Sequence, residues 1–209
     1  MRALIVANGE PPSEALLRDL AAKASIVIAA DGGADKALAA GVIPTVVVGD
    51  LDSVSPRTRA TLDSRITHID DADSTDLEKA VTLALDRGAT AIDIVAAGGG
   101  RADHALANLS VLVRYGARAE IRIHDDLFAI RRVHHEARIV AAEGTVVSLV
   151  AIGRCTGVTT IGLRWPLRDA TLDFSPLGVH NEVALRPAAV RVGTGDLLLF
   201  EGRWVEKHS

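Results

Sequence analysis

Through the first half of this chain, short runs of β-branched and other apolar residues alternate with stretches of helical period, the pattern of βα units feeding a parallel sheet. LIVA (4–7), IVIA (26–29), VVV (46–48) and IDIVA (92–96) read as strands. Helices are predicted over 13–23, 34–40, 75–87 and 103–115. The third has the clearest start. Thr75 is followed three residues on by Glu78, the capping-box spacing, and Leu77, Val81 and Leu85 form an apolar stripe behind it. Gly88 closes the same helix.

After Gly116 the texture changes to one short strand after another. EIRIH, LFAIRRV, TVVSLVA, CTGVTTIGL, ATLDF, AAVRV and DLLLF are separated by Gly, Pro, Asp and Asn, as in an antiparallel β sandwich or barrel. At 209 residues the chain has room for one large domain or two small ones. The expected fold class is therefore α/β: an N-terminal Rossmann-like parallel-sheet domain over 1–124, then a C-terminal antiparallel β-sandwich domain over 125–209.

Composition narrows the function. Hydrophobic residues at 48% and charged residues at 24% supply enough apolar side chain for a core, which excludes wholesale disorder. With 23 basic and 27 acidic residues, a net charge of −4 and no basic run, nucleic acid is not an expected partner. Cys155 is the sole cysteine, which excludes an intramolecular disulfide framework and a Cys-rich zinc site, and fits a reducing, cytoplasmic setting. The apolar run in MRALIVANGE stops at Asn8, short of a signal peptide's apolar region or a ~20-residue span, so no membrane association is expected.

The charges are unevenly spread: residues 1–110 carry 10 basic and 16 acidic groups, and residues 111–209 carry 13 and 11. Seven of the acids are aspartates between Asp50 and Asp76, a density that self-repels unless a cation sits among them. Ligands of an open parallel sheet collect at the carboxyl ends of its strands. There this chain has Asn8-Gly9, Asp31-Gly32-Gly33, Gly49-Asp50-Leu51-Asp52-Ser53, and the stretch from Gly98 to His104. Asp50 and Asp52 share a Gly-led turn and Asp76 sits in the first turn of the next helix, giving three hard oxygen donors suited to Mg²⁺. Any one of them reads as well as a turn former or cap; the cluster on successive strand ends favours a functional site.

Gly98-Gly99-Gly100 lets backbone N–H groups approach an anion closely, and Arg101 beside them offers a planar fork for phosphate oxygens. No Lys-Ser/Thr follows, so the run is not a P-loop, and it does not fit the spaced GxGxxG of dinucleotide binders. A plain left-handed turn before a helix fits it too. Arg101, Asp103 and His104 directly after it favour phosphate handling. His104 is expected to orient a neighbour or bond a phosphate oxygen rather than to accept a proton. His134-His135 and His124-Asp125-Asp126 lack zinc spacing and read as surface, and Cys155 reads as core.

Taken in order, ADGGADKAL, GVIPTVVVGDLDS, STDLEKAV, GGGRADHALANLSVL, and TTIGLRWPL with a following HNE resemble the thiamine pyrophosphokinase (thiamine diphosphokinase) family from about residue 30 to 182. The resemblance implies transfer of the pyrophosphoryl group of ATP to the hydroxyethyl oxygen of thiamine, giving thiamine diphosphate and AMP, with Mg²⁺ required. By position, Asp50, Asp52 and Asp76 look like the Mg²⁺ and phosphate centre and, with Arg101, like the catalytic set. Asn8, Asp31, Gly32, Gly99, Gly100, Arg101, Asp103 and His104 are then the binding residues of the first domain. Asp103 would face the vitamin or order its loop, and Asn108 would support that loop. The family's β domain supplies part of the thiamine pocket, commonly across a homodimer. There Trp165 either encloses the thiazolium with a ring face or fills core, and His180 and Asn181 join the pocket.

Two positions depart from the family. It usually has Ser-Asn where this chain reads Val179-His180-Asn181, and relatives often carry Lys or Gln near Asp71-Ala72-Asp73. Two other readings therefore stand beside the first. One is a pyrophosphokinase acting on a different alcohol such as a pterin, prompted by His180. The other is a non-catalytic nucleotide-binding module that keeps the aspartate loops.

Overall fold

The computed structural model describes residues 1–69, 71 and 73–205, so Asp70 and Ala72 of the aspartate-rich run lie outside the described residues. The chain divides into two compact units, Met1–Asp126 and a second from Leu127 onward.

The first unit runs β1 (Arg2–Val6), α1 (Glu14–Lys23), β2 (Ile26–Ala30), α2 (Gly33–Ala39), β3 (Val46–Gly49), α3 (Pro56–Leu62), a 3₁₀ turn (Asp63–Arg65) and β4 (Ile66–His68). It continues with α4 (Asp76–Asp86), β5 (Ala91–Val95), α5 (Ala102–Asn108), α6 (Ser110–Arg114) and β6 (Glu120–His124). The sheet order is β4-β3-β2-β1-β5-β6, with every neighbouring pair parallel. Strands β1 to β4 extend one way and β5 to β6 the other, which puts the topological switch point, where such sheets bind ligands, between β1 and β5.

Strands β2 and β3 are buried along their whole length, as a sheet covered by helices on both faces requires. Leu17 and Leu20 of α1 pack with Leu4, Val6, Val27 and Ala37, and burying each such leucine contributes about 1.5–3 kcal/mol. Leu62 of α3 closes a second cluster with Val47, Leu51 and Val54, which anchors the loop after β3.

The expected capping box is present: the Thr75 hydroxyl accepts from the Glu78 N–H, and the Glu78 side chain accepts from the Thr75 N–H. The helix expected over 103–115 is two helices, because the ladder tightens to i−3 bonds at Leu109 and Leu112. The sequence reading has no counterpart for α3 and β4. Ser55 caps α3 by accepting from the Thr58 N–H, with Pro56 at the first helical position. His124, expected at the surface, is buried instead. It ends β6 with Nε2 2.7 Å from Oδ1 of the buried Asp93, which Arg2 also reaches. Burial alone would push the Asp93 carboxyl up; the bonds from His124 and Arg2 outweigh it and hold it below the ordinary range.

The second unit is antiparallel: β7 (Phe128–Val133), β8 (Glu136–Ile139), β9 (Thr145–Ile161), β10 (Ala170–Leu172), β11 (Asn181–Glu182), β12 (Ala188–Arg191) and β13 (Thr194–Val205). The two strands expected at 145–151 and 155–163 are one 17-residue strand. Gly153 and Gly157 take left-handed φ values of 80° and 67°, and the register against β13 shifts beside them, so the glycines bulge the strand instead of turning the chain. β9 pairs with β13 along most of its length and with β12 at its end, and one core cluster draws on both pairings: Leu149, Cys155, Val190, Leu197 and Leu199. Cys155 is core, as expected, and burial pushes its thiol pKa up. Among the described residues no helix is long and apolar enough to cross a membrane.

Candidate functional site

The loops leaving β1 and β5 are laced together at the switch point. The Gly9 N–H donates to Ala96 O at 2.7 Å and the Glu10 N–H to Gly98 O at 2.8 Å. Three non-glycine residues just beyond strand ends adopt left-handed φ: Asp31 (48°), Leu51 (68°) and Ala96 (56°). Each such residue costs on the order of 1–3 kcal/mol, and such strain clusters where a fold must aim a functional group. Asp31 is thereby turned toward the loop after β3, where its Oδ1 accepts from the Ser53 N–H at 3.2 Å.

The carboxylates of Asp31, Asp50 and Asp76 converge, each offering an oxygen within 4.8 Å of the others. Gly49 makes this approach possible, since a Cβ there would lie 3.0 Å from Asp76 Oδ1 and 3.1 Å from Asp31 Cβ. Burial pushes the Asp31 carboxyl above the ordinary range and the like charge of Asp76 adds to this, against hydrogen bonds from Gly32 and Ser53 that pull it down. Lys79 Nζ, itself buried, sits 3.0 Å from Asp76 Oδ1. Three carboxylates at this separation suit a hard divalent cation.

Asp52, expected in this trio, is not one of the three. Its carboxylate accepts from the Ser53 hydroxyl at 2.8 Å, and its N–H donates to Asp50 Oδ1 at 3.2 Å. It closes the turn and still lines the same cleft.

That cleft has a volume of about 800 Å³. Asn8, Gly99, Gly100, Arg101 and His104 line it together with the carboxylates. The carboxamide of Asn8 lies against Gly32, where a Cβ would meet its Oδ1 at 2.5 Å. Asn108 donates to Ala97 O at 2.7 Å and so ties α5 to the glycine loop. Arg101 and Asp103 are both exposed and form a two-point ion pair, which raises the arginine and holds the Asp103 carboxyl down at about 2.

Trp165, His180 and Asn181 belong to the second unit. Asn181 is buried and joins the segment holding Trp165: the Trp165 N–H donates to its Oδ1 at 3.1 Å and its Nδ2 donates to Trp165 O at 2.7 Å. The Trp165 ring is 51% exposed with the Arg164 guanidinium 5.7 Å from its centroid, so it does not fill core. His180 is exposed at φ 61°, its N–H donating to the Ser148 hydroxyl at 2.9 Å.

Two cleft-lining cations, Lys36 and Lys79, are absent from the sequence reading. For Lys79 a signal existed: it stands three residues after Asp76 on the same helix, the spacing at which side chains meet. The arrangement offers clustered carboxylates for a divalent ion, backbone donors of a glycine loop, and a guanidinium at the rim. That combination can bind and polarise a polyphosphate.

The profile described as "Thiamin pyrophosphokinase, catalytic domain" matches residues 17–124, and "Thiamin pyrophosphokinase, vitamin B1 binding domain" matches residues 132–199. Thiamine pyrophosphokinase 3 of Oryza sativa subsp. japonica is 32% identical over 168 residues, 73% of this chain and 63% of that protein. Thiamin pyrophosphokinase 1 of Caenorhabditis elegans is 25% identical over 218 residues, 96% of this chain and 89% of that protein. The chain spans less than two thirds of the length of the three rice proteins it matches, at 63%, 65% and 64%. The solved thiamine pyrophosphokinase of Bacillus subtilis superposes with a TM-score of 0.83 at 24% identity, covering 97% of this chain and 99% of that one. That of Candida albicans gives 0.85 at 15% identity, covering 98% and 89%; at such identities the likeness speaks for the fold. With one profile matching more than half of its length, this chain belongs to the thiamin pyrophosphokinase family.

Proposed function

We propose that this chain transfers the pyrophosphoryl group of ATP to the hydroxyethyl oxygen of thiamine, giving thiamine diphosphate and AMP. The reading is carried by the convergence of Asp31, Asp50 and Asp76 in one cleft with Gly99, Gly100 and Arg101. Asp31, Asp50 and Asp76 would hold Mg²⁺, which when bound offers positive charge to phosphate oxygens.

In this reaction the thiamine hydroxyl oxygen gives up its proton to water and forms a bond to the β-phosphorus, the bond from that phosphorus to the α–β bridging oxygen breaks, and the bridging oxygen leaves with AMP. No residue becomes covalently attached. The chain's part is to hold both substrates in line and to stabilise charge where it develops. The N–H groups of Gly99 and Gly100 serve as anion donors, and Arg101, released from Asp103, faces the leaving AMP. The laced β1 and β5 loops keep this framework in place before substrate arrives.

The test is product analysis of purified protein with ATP, Mg²⁺ and thiamine: thiamine diphosphate and AMP are expected in equal amounts. Absence of both overturns the reading. It carries two further expectations, a homodimer and a cytoplasmic location, checked by light scattering and by cell fractionation. One observation favours a second acceptor class: exposed His180 places an imidazole where the family usually has serine. A screen in which pterin-like alcohols release AMP and thiamine does not would replace thiamine as the acceptor. ATP binding without turnover by any alcohol would leave a nucleotide-binding module.

A further inference from the structure

Helix α4 carries a charge on the face it buries. Its buried residues are Leu77, Lys79, Ala80, Val81 and Ala84, and the Lys79 side chain is only 5% exposed. A buried ammonium requires a partner. Here the partner is Asp76, with Nζ 3.0 Å from Oδ1, and Asp76 is one of the three converging carboxylates. Asp71 feels the same ammonium from the loop before α4: hydrogen bonds from the Ser74 hydroxyl and the Asp73 N–H hold its carboxyl low, and the Lys79 charge adds to them. Lys79 therefore forms part of the cleft wall beneath the carboxylates while remaining almost closed to solvent.

With all four groups ionised, Asp31, Asp50, Asp76 and Lys79 carry a formal charge of −2 (three negative, one positive), the charge one divalent ion cancels. Without the ammonium it is −3. We infer that Lys79 is the resident counter-ion of this centre: it holds Asp76 in place when no metal is bound, and its charge limits how tightly a divalent ion is held. The inference rests on the divalent-centre reading given above. Lys79 is a positioning residue, since it acts through Asp76. An ammonium whose role was only to fill space would leave metal affinity unchanged when replaced by an isosteric apolar chain. A counter-ion makes the opposite prediction, because removing one unit charge a few ångströms from a bound cation strengthens binding by about tenfold or more.

The experiment uses the full chain with Mn²⁺ alone as probe, and no nucleotide. Free Mn²⁺ is followed by electron paramagnetic resonance, and thermal unfolding is recorded with and without the ion. Lys79→Met is expected to bind Mn²⁺ about tenfold or more tighter than the unaltered chain. Its metal-free form is expected to melt lower, with Mn²⁺ closing the gap. Lys79→Arg is expected to restore both properties. Unchanged or weaker Mn²⁺ binding by Lys79→Met overturns the inference. So does failure of both Lys79→Met and Lys79→Gln to fold with or without Mn²⁺, which would make the lysine purely structural. If the unaltered chain binds Mn²⁺ saturably and Asp50→Asn abolishes this while Lys79→Met leaves it unaltered, only the inference falls. If the unaltered chain shows no saturable Mn²⁺ binding, the divalent-centre reading falls and takes the inference with it.

Discussion

Arg101 and Asp103 clasp each other across a single intervening residue: Nε and Nη2 of the guanidinium donate to the two carboxylate oxygens at 3.1 and 2.6 Å. The guanidinium proposed to face phosphate is thus already engaged, and a nucleotide must compete with a carboxylate of the same loop.

Asp103→Asn is expected to tighten ATP binding measured without thiamine by up to about fivefold, the scale of an exposed ion pair. Titration calorimetry checks this, and weaker ATP binding would show that Asp103 orders the loop. Asp103 is held down at about 2, chiefly by the Arg101 hydrogen bond, so the clasp is complete above the ordinary value of 3.8 and is lost only as pH falls through about 2. The gain in ATP affinity should therefore be the same at pH 5 and pH 8.

Gly49→Ala would bring a methyl to 3.0 Å from Asp76 Oδ1 at a φ of 147°, where side chains are rarely accommodated. The substitution should destabilise by about 1–3 kcal/mol. It should also lower turnover by at least about tenfold, because the carboxylates are pushed apart. Denaturant unfolding and AMP formation report the two effects, and full activity would mean that the carboxylates need not converge.

Asp50→Asn should reduce turnover by about a hundredfold or more, the scale of removing one preorganised charge-stabilising group. Its stability should be unchanged or slightly raised, because a like charge leaves a crowded cluster. Asp52→Asn should cost less than about tenfold, since Asp52 holds the Ser53 hydroxyl instead of joining the converging oxygens. Equal losses in the two variants would restore Asp52 to the centre.

Asp35 ties α2 to the segment that follows the aspartate turn, accepting from the Ser55 N–H at 3.0 Å and the Thr58 hydroxyl at 2.6 Å. Burial alone would raise its carboxyl; the bonds from Ser55 and Thr58 outweigh it and hold it below the ordinary value of 3.8. A carboxyl depressed by folding stabilises above its unfolded value and loses that contribution as pH falls through the folded one. Asp35→Ala should therefore cost about 1–3 kcal/mol at pH 7, with the difference from the unaltered chain shrinking below pH 3.8. A difference independent of pH would assign the loss to packing.

Local signals gave the sequence reading its successes. The Thr75–Glu78 capping box, the four apolar strands and the polar residues after them all depend on residues a few positions apart. What escaped depends on neighbours across strands. Asp31 joins Asp50 because Ala30 of β2 pairs beside Val48 of β3, a register invisible from spacing, whereas Asp52 is suggested by its nearness to Asp50 in the chain and by the family resemblance. His124 is buried through a bond to Asp93 on another strand. Lys79 interrupts an apolar helix face, and its meaning emerges only once Asp76 is seen among the other carboxylates.

Strand β9 joins two pairings that would otherwise be separable, since its length is shared between β13 and β12. Freeing one edge removes a template from the other, so the second unit should open all at once rather than peel strand by strand. Amide protons that β13 and β12 donate to β9 should then exchange with deuterium at matching rates.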